Sequence, residues 1–149
     1  RKAMAHTHLA ACHCGNLSAR YDCTAAPAVM TLRACGCTFC RKHNARTTSD
    51  PEGRAEIVVR DPAALTRYRF GQRTADFLVC GNCGVYLGAL FTDKDGAAYT
   101  TLNANAFANV QALPDAAESV HYDKESPGEK NARRRARWTP ANLRIAGAD

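Results

Sequence analysis

The sequence predicts an all-β domain, because short apolar segments alternate with turn residues along its first two thirds. Three pairs of these segments flank residues typical of hairpin turns, namely Gly15-Asn16, Gly71-Gln72-Arg73 and the tetrapeptide 93–96. The predicted strands span residues 9–14, 17–23, 29–34, 55–60, 65–70, 76–80, 85–91 and 97–102. We therefore expect a sheet of short antiparallel strands.

The 149 residues fit a single domain, since they contain no internal repeat and no low-complexity linker. We expect the β core at about residues 9–105 and an irregular extension at 106–149. Within the extension, residues 106–113 predict a helical turn before Pro114, and residues 121–137 are polar and charged. Trp138 is expected to end this segment by packing on the sheet.

Aromatic residues make up only 7% of the chain, so the core must consist mainly of Val, Leu, Ile and Ala. Such a core is thin, and bound metal or covalent links would add stability. The eight cysteines are the candidates for that role. Residues 1–8 contain no apolar segment typical of signal peptides. This favours a cytoplasmic protein, in which cysteine clusters usually bind metal or act in catalysis. No window approaches the roughly 20 apolar residues of a membrane span, so no membrane partner is expected.

The formal net charge of +6 favours an anionic partner such as nucleic acid, a membrane surface or a small acidic substrate. Seven thiolates and two bound zinc ions would lower this charge to about +3. Residues 133–137 (Arg-Arg-Arg-Ala-Arg) form a basic run, but acidic residues precede it and few aromatics lie among them. We interpret the run as a solvated, partly helical segment and expect no nucleic-acid partner.

Seven of the eight cysteines fall into three clusters with the short spacings of metal ligands. The clusters are Cys12-His13-Cys14-Gly15, Cys35-Gly36-Cys37-Thr38-Phe39-Cys40 and Cys80-Gly81-Asn82-Cys83-Gly84. The repeated chelating spacing favours metal binding over disulfides or isolated buried thiols. The eighth cysteine, Cys23, has no such neighbour and is interpreted as a buried apolar strand residue.

The first and last clusters predict a closed, four-thiolate zinc site. The C-x-x-C-G sequence at Cys80 and Cys83 forms a tight turn that points two thiolates at one ion, and the ion needs two more ligands. Cys12 and Cys14 are the best-placed partners, because they lie at a predicted hairpin with its own glycine. Such a site would join segments far apart in the sequence and stabilise the fold.

The middle cluster predicts a zinc site of a different kind. Cys35, Cys37 and Cys40 supply three thiolates, and no further cysteine is nearby in sequence. Three protein ligands and one open position are the pattern of a catalytic zinc. A substrate thiol in that position would lose its proton near neutral pH and become a nucleophile, or the ion could polarise a carbonyl group.

Three basic residues follow the middle cluster directly: Arg41, Lys42 and His43. A zinc ion with three thiolates is negatively charged, so cationic neighbours would stabilise it and could also bind substrate carboxylates. The alternative for Arg41 and Lys42 is a solvated loop. His43 could instead supply the fourth ligand, which would make this site structural as well.

The remaining histidines carry no metal-binding pattern. His13 lies between two ligands and is expected to face solvent. We expect the other three on the protein surface, since none has a partner nearby in sequence: His6, His8 and His121.

The three clusters, in this order and with Arg41-Lys42 after the second, resemble the glutathione-dependent formaldehyde-activating enzyme family, which includes centromere protein V-like members. The resemblance runs from about Cys12 to Leu102, and more loosely to Trp138. It implies an Mss4-like zinc fold in which Cys12, Cys14, Cys80 and Cys83 hold a structural zinc. It also implies a functional zinc on Cys35, Cys37 and Cys40, and formation of S-(hydroxymethyl)glutathione, a carbon–sulfur lyase reaction read in reverse.

Three functions follow from these observations as hypotheses. The first is an enzyme that holds two zinc ions, binds glutathione and adds it to an aldehyde such as formaldehyde. The second is a non-catalytic zinc-binding module with two structural zinc sites, the second completed by His43, that carries a thiol or contacts a partner such as nucleic acid through its basic tail. The third is a secreted protein in which the cysteines form disulfides.

Overall fold

The computed structural model describes residues 6–147, in which short strands dominate. The strands are β1 (His6–Ala11), β2 (Leu17–Cys23), β3 (Arg33–Cys35), β4 (Thr47–Thr48), β5 (Arg54–Val59), β6 (Leu65–Tyr68), β7 (Asp76–Cys80), β8 (Tyr86–Thr92), β9 (Ala98–Asn103), β10 (Glu118–Val120) and β11 (Thr139–Ile145). The helices are α1 (Thr38–Lys42) and α2 (Pro127–Arg137), and four 3-10 turns complete the structure. The predicted all-β class is confirmed. No described helix is long and apolar enough to cross a membrane.

All the strands belong to one branched sheet. Its main path runs β1-β2-β5-β11-β9-β4-β3-β10, and a second path leaves β9 through β8 and β7 to β6. The three predicted hairpin pairs, β1–β2, β6–β7 and β8–β9, are all antiparallel neighbours. Strand β9 therefore has three partners, β11, β8 and β4, and it is the point where the sheet divides.

The prediction of an irregular segment after residue 105 is wrong. Strand β10 pairs in parallel with β3, and β11 lies between β5 and β9 in the interior of the sheet. Among the described strands, β11 is the one that links the β1-β2-β5 part of the sheet to the rest by hydrogen bonds. The helical turn predicted for residues 106–113 is present only as short 3-10 turns, Ala104–Ala106 and Val110–Ala112.

A capping motif marks the N-terminus of helix α2, and the polar composition of the segment does not reveal it. The Ser126 hydroxyl accepts a hydrogen bond from the Glu129 amide, and the Glu129 carboxylate accepts one from the Ser126 amide. This reciprocal capping box, with Pro127 in the first turn, fixes the N-terminus of the helix. Residues 121–126 are therefore irregular and residues 127–137 are helical, and α2 leads through Trp138 into β11.

Two other local predictions need correction. The strand predicted at residues 29–34 is a 3-10 turn, Pro27–Val29, followed by extended chain and the three-residue β3. His8 is not a surface residue, since only 3% of it is exposed. Its ring packs near Tyr21 and Phe107, with ring centroids 6.0 and 5.6 Å away, and its Nδ1 pairs with the Asn109 side chain. His13 and His121 are exposed, and His6 is half-buried.

The core is built on both faces of the central strands. Six successive residues of β8, from Tyr86 to Phe91, are buried. Leu17, Ile57 and Leu87 are fully buried members of the main apolar cluster. A second cluster contains Ala75, Ala89, Phe91 and Trp138. Trp138 thus packs on the sheet as the sequence predicted, and Cys23 is buried within the main cluster.

Gly88 allows β8 and β9 to approach closely. A Cβ atom at this position would lie 2.6 Å from the carbonyl oxygen of Thr101 on β9. We expect Gly88→Ala to lower the free energy of unfolding by about 1–3 kcal/mol, because backbone must move to admit the methyl group. Urea denaturation of the metal-loaded protein would measure this loss.

Gly128→Ala is the matched control, because a Cβ atom there meets no atom within 4 Å and lies in helix α2. We expect this substitution to leave stability unchanged or to raise it by up to about 1 kcal/mol. Equal stability of the Gly88→Ala protein and the wild type would contradict the close approach of these strands.

Candidate metal centres and an adjoining cavity

The first candidate centre gathers four sulfurs from two turns. Cys12 and Cys14 follow β1, while Cys80 ends β7 and Cys83 lies in the next turn. In each turn a glycine follows the second cysteine and has a positive φ, which is 84° at Gly15 and 83° at Gly84. This left-handed conformation suits glycine and lets the chain turn back toward the ion. The four sulfurs lie within 4.8 Å of one another.

The distances between these sulfurs fit a shared metal ion. Two thiolates on one tetrahedral zinc ion, each at about 2.3 Å, are separated by roughly 3.8 Å. The Sγ atoms of Cys12 and Cys14 are 3.8 Å apart, and those of Cys14 and Cys80 are 3.6 Å apart. The two sulfurs of a disulfide bond are only about 2.05 Å apart. All eight cysteines are free in the structure, so the disulfide hypothesis is not supported.

Hydrogen bonds from nearby groups stabilise thiolates at this centre. The amide of Leu17 donates to Cys12 Sγ at 3.2 Å, and the amides of Asn82 and Cys83 donate to Cys80 Sγ at 3.4 Å. The Asn82 side chain lowers the pKa of Cys14 by hydrogen bonding to it. Burial raises the pKa of Cys12 to about 11, so this thiolate needs a cation beside it.

The second candidate centre comes from a single short segment. Cys35 ends β3, Cys37 is the N-cap of α1, and Cys40 lies within α1. The amide of Cys40 donates to Cys37 Sγ at 3.4 Å, and the three sulfurs lie within 4.8 Å of one another. Within residues 6–147, no His, Cys, Asp or Glu adds a fourth ligand atom to this group. The predicted three-cysteine cluster is therefore present.

The three cysteines of this cluster differ in how readily their thiols lose a proton. Hydrogen bonds from Cys35 and Cys40 lower the pKa of Cys37, whereas hydrogen bonding to their neighbours raises the pKa values of Cys35 and Cys40. Without a cation the three sulfurs thus favour one thiolate flanked by two thiols, and a metal ion must displace the remaining protons. Burial, followed by the nearby cysteines, raises the pKa of Tyr86 well above its usual value, so this phenol stays neutral.

The basic residues after this cluster lie outside the cavity that adjoins it. The imidazole of His43 packs against Phe39, with ring centroids 4.4 Å apart, and does not join the cysteine group. The guanidinium of Arg41 donates to the carbonyl of Gly36, and Lys42 is exposed. None of the three lines the cavity, so their predicted role in substrate binding has no support from this arrangement.

That cavity has a volume of about 490 Å³ and includes all three clustered cysteines in its wall. This volume falls within the roughly 300–1,000 Å³ typical of small-molecule sites. Apolar side chains line one part, among them Phe70, Phe77 and Trp138. The His121 ring also lines it and lies against Gly36, where any side chain would collide with the imidazole.

Basic side chains form the polar part of the cavity wall: Arg33, Lys130, Arg133 and Arg134. One carboxylate, Asp123, accompanies them. Arg133 is paired with Glu125 at 2.9 Å and covers the ring of Tyr122. Arg33 is half-buried, and burial lowers the pKa of its guanidinium. The cavity therefore favours an anionic ligand.

The basic run 133–137 is only partly the solvated segment that the sequence suggested. It is helical, as expected, but Arg134 is buried and Arg133 is largely covered. Helical spacing places Lys130, Arg133 and Arg134 on one side of α2, toward the cavity. This spacing was the signal in the sequence that could have identified them.

Comparisons with known proteins give little further guidance. No protein-family model matches the chain, and no curated protein matches it. A crystal structure of a Rhodobacter sphaeroides protein, a structural genomics target, is 24% identical and has a TM-score of 0.49; the match covers 75% of this chain and 99% of that chain. The resemblance to the formaldehyde-activating family therefore stays a prediction from the cysteine pattern.

The two centres should differ in what their loss does to the fold. The four-cysteine centre closes a loop from Cys12 to Cys83, whereas the three-cysteine centre joins residues within one short segment. We expect Cys80→Ser to remove one metal ion per chain and lower the free energy of unfolding by about 4 kcal/mol or more, because a long loop is opened. Metal analysis and urea denaturation would measure both effects.

Cys37→Ser is the comparison variant for this experiment. It should also lose one metal ion, but its stability should fall by less than half as much, because no distant segments are released. Equal destabilisation by the two substitutions would contradict this division between a structural and a local centre.

Proposed function

We propose that the protein is a zinc-dependent enzyme that binds a small anionic thiol, glutathione in the first instance, and joins it to an aldehyde such as formaldehyde. One observation supports this proposal above the others. A cluster of three cysteines, with no fourth ligand among the described residues, lies in the wall of a cavity bordered by basic side chains. The product would be S-(hydroxymethyl)glutathione or a closely related thiohemiacetal.

Zinc is the ion that we propose for both centres. Clusters of thiolates at tetrahedral spacing favour zinc among the common divalent metals. The two ligand counts also separate the roles that zinc usually has in proteins. Four cysteines form a closed structural site, and three cysteines leave one coordination position for a ligand. When bound there, zinc would stabilise the thiolate form of a substrate thiol near neutral pH.

Glutathione fits the chemistry of the cavity in two respects. Its thiol can approach Cys35, Cys37 and Cys40, and its two carboxylates can approach basic side chains of the same wall. The apolar side chains Phe70 and Phe77 would hold the substrate's methylene groups and limit the access of water. The volume of about 490 Å³ leaves room for a small aldehyde beside the thiol.

The bond-forming step requires little from the protein beyond placement. The thiolate sulfur attacks the carbonyl carbon, the carbon–sulfur bond forms, and the carbonyl oxygen takes a proton from water. The three cysteines would hold the zinc ion that binds the reacting sulfur, and the cationic part of the wall would stabilise the negative charge that develops on oxygen. Tyr86 is buried behind the cluster and stays neutral, so it adds no further negative charge.

We expect Cys37→Ser to abolish glutathione-dependent turnover of formaldehyde, because the remaining two thiolates hold zinc poorly. Product formation would be followed by NMR with the uncatalysed addition of glutathione to formaldehyde subtracted. Unchanged turnover in a correctly folded Cys37→Ser protein would refute the proposed function. Glutathione binding without any rate enhancement in the wild type would instead indicate a thiol carrier.

Cys23→Ala provides the control for the loss of a cysteine. Cys23 is buried in the main apolar cluster, apart from both metal centres, and its thiol donates to the carbonyl of Ala25. This variant should keep two metal ions per chain and the turnover of the wild type, with a modest loss of stability from the small cavity that remains.

A further inference from the structure

Arg134 is a buried cation that makes no ion pair with a carboxylate in the part of the chain that the structure describes; the Glu125 carboxylate, which pairs with Arg133, acts on it only at longer range. Only 6% of the residue is exposed. Its Nη1 donates to the Thr74 hydroxyl at 2.6 Å and to the Asn131 amide oxygen at 3.3 Å, both neutral groups. Its Nε is buried and makes no hydrogen bond. Buried charges are normally paired, and buried donors normally have acceptors.

The guanidinium of Arg134 is held at the cavity wall by aromatic rings. Its Cζ lies 5.0 Å from the ring centroid of Trp138 and 5.8 Å from that of Phe91. The residue lines the same cavity as Cys35, Cys37 and Cys40. A guanidinium held in place at a cavity wall is well suited to bind a carboxylate, because its planar set of donors can make two parallel hydrogen bonds.

The neighbouring basic residues are less suited to this role. Arg133 already makes a two-pronged pair with Glu125, so its charge is balanced. Arg33 also donates to a neutral group, the Ser49 hydroxyl, but it is only half-buried, and Lys130 offers a flexible ammonium rather than a planar fork. Burial and the charge of Arg133 lower the pKa of Arg134 to about 10, so it stays protonated near neutral pH. An anion bound in the cavity would offset the free-energy cost of burying this positive charge.

We propose that Arg134 recognises a carboxylate of the thiol substrate, and that the substrates of this protein are thiols that carry a carboxylate. This inference rests on the proposed function, since it names the group that positions the thiol at the three-cysteine centre. The competing role for Arg134 is to balance the negative charge of the metal centre. In that case it would not discriminate between a carboxylate and its ester.

The test compares glutathione with its diethyl ester, which keeps the thiol and lacks both carboxylates. Isothermal titration of the zinc-loaded wild type should show at least a tenfold preference for glutathione. In Arg134→Met this preference should fall to threefold or less, and in Arg134→Lys, which keeps the charge, it should fall part of the way. Arg135→Met is the matched control, because Arg135 lies on the same helix, pairs with Asp93 and is exposed. It should keep the wild-type ratio.

Equal affinity of the wild type for the two ligands would overturn the inference, whatever the variants do. The inference would also be overturned if Arg134→Met kept the full wild-type preference for glutathione over its diethyl ester. Addition of glutathione to the cobalt-substituted protein reports separately on the proposed function, through a new sulfur-to-cobalt absorption band. Absence of that band would overturn thiol binding at the metal. If the band is absent but the preference for glutathione over its ester still depends on Arg134, carboxylate recognition by Arg134 is supported.

Discussion

The convergence of four sulfurs from two distant turns is the constraint on which the rest of the structure depends. Cys12 and Cys14 belong to the turn between β1 and β2, and Cys80 and Cys83 follow β7. These turns lie on different branches of the sheet, and among the described strands β11 is the one that links the branches through its ladder hydrogen bonds. An ion at this centre would fix the branches relative to each other, in a domain whose aromatic content is only 7%.

The cavity beside the second centre results from the same arrangement. One wall comes from β3 and α1, which carry Cys35, Cys37 and Cys40, and another comes from α2, which carries Arg134. Helix α2 is positioned by β11, the strand that follows it directly, and by Trp138 at the junction between them. The clustered cysteines and the basic side chains thus come from different parts of the sequence, and the fold brings them together in the wall of one cavity.

The sequence predicts the structural features that depend on residues close together in the chain. Turn residues and apolar alternation were sufficient for the β1–β2, β6–β7 and β8–β9 hairpins. Chelating spacings were sufficient for both cysteine groups, because ligand geometry within a turn depends on a few adjacent residues. The pairing of Cys12 and Cys14 with Cys80 and Cys83 followed from counting ligands.

Features that depend on distant contacts were missed. Strand β11 contains Pro140 and polar residues, and its parallel pairing with β5 depends on residues 86 positions earlier in the sequence, such as Ala55 opposite Ala141. The burial of His8 depends on Phe107, and the burial of Arg134 depends on Thr74 and Trp138. The composition of the basic run indicates a solvated segment, whereas the capping box at Ser126 and the helical spacing place part of the run on one buried face of α2.

The position of β11 has a consequence for the order in which the molecule can be assembled. Both neighbours of this strand, β5 and β9, are synthesised before it, and they must remain apart until residues 139–145 arrive between them. During translation, all seven clustered cysteines therefore emerge before the sheet is complete. A nascent chain at this stage exposes reactive thiols and unpaired strand edges together, so early capture of metal by the cysteines would protect it from oxidation and from misassembly.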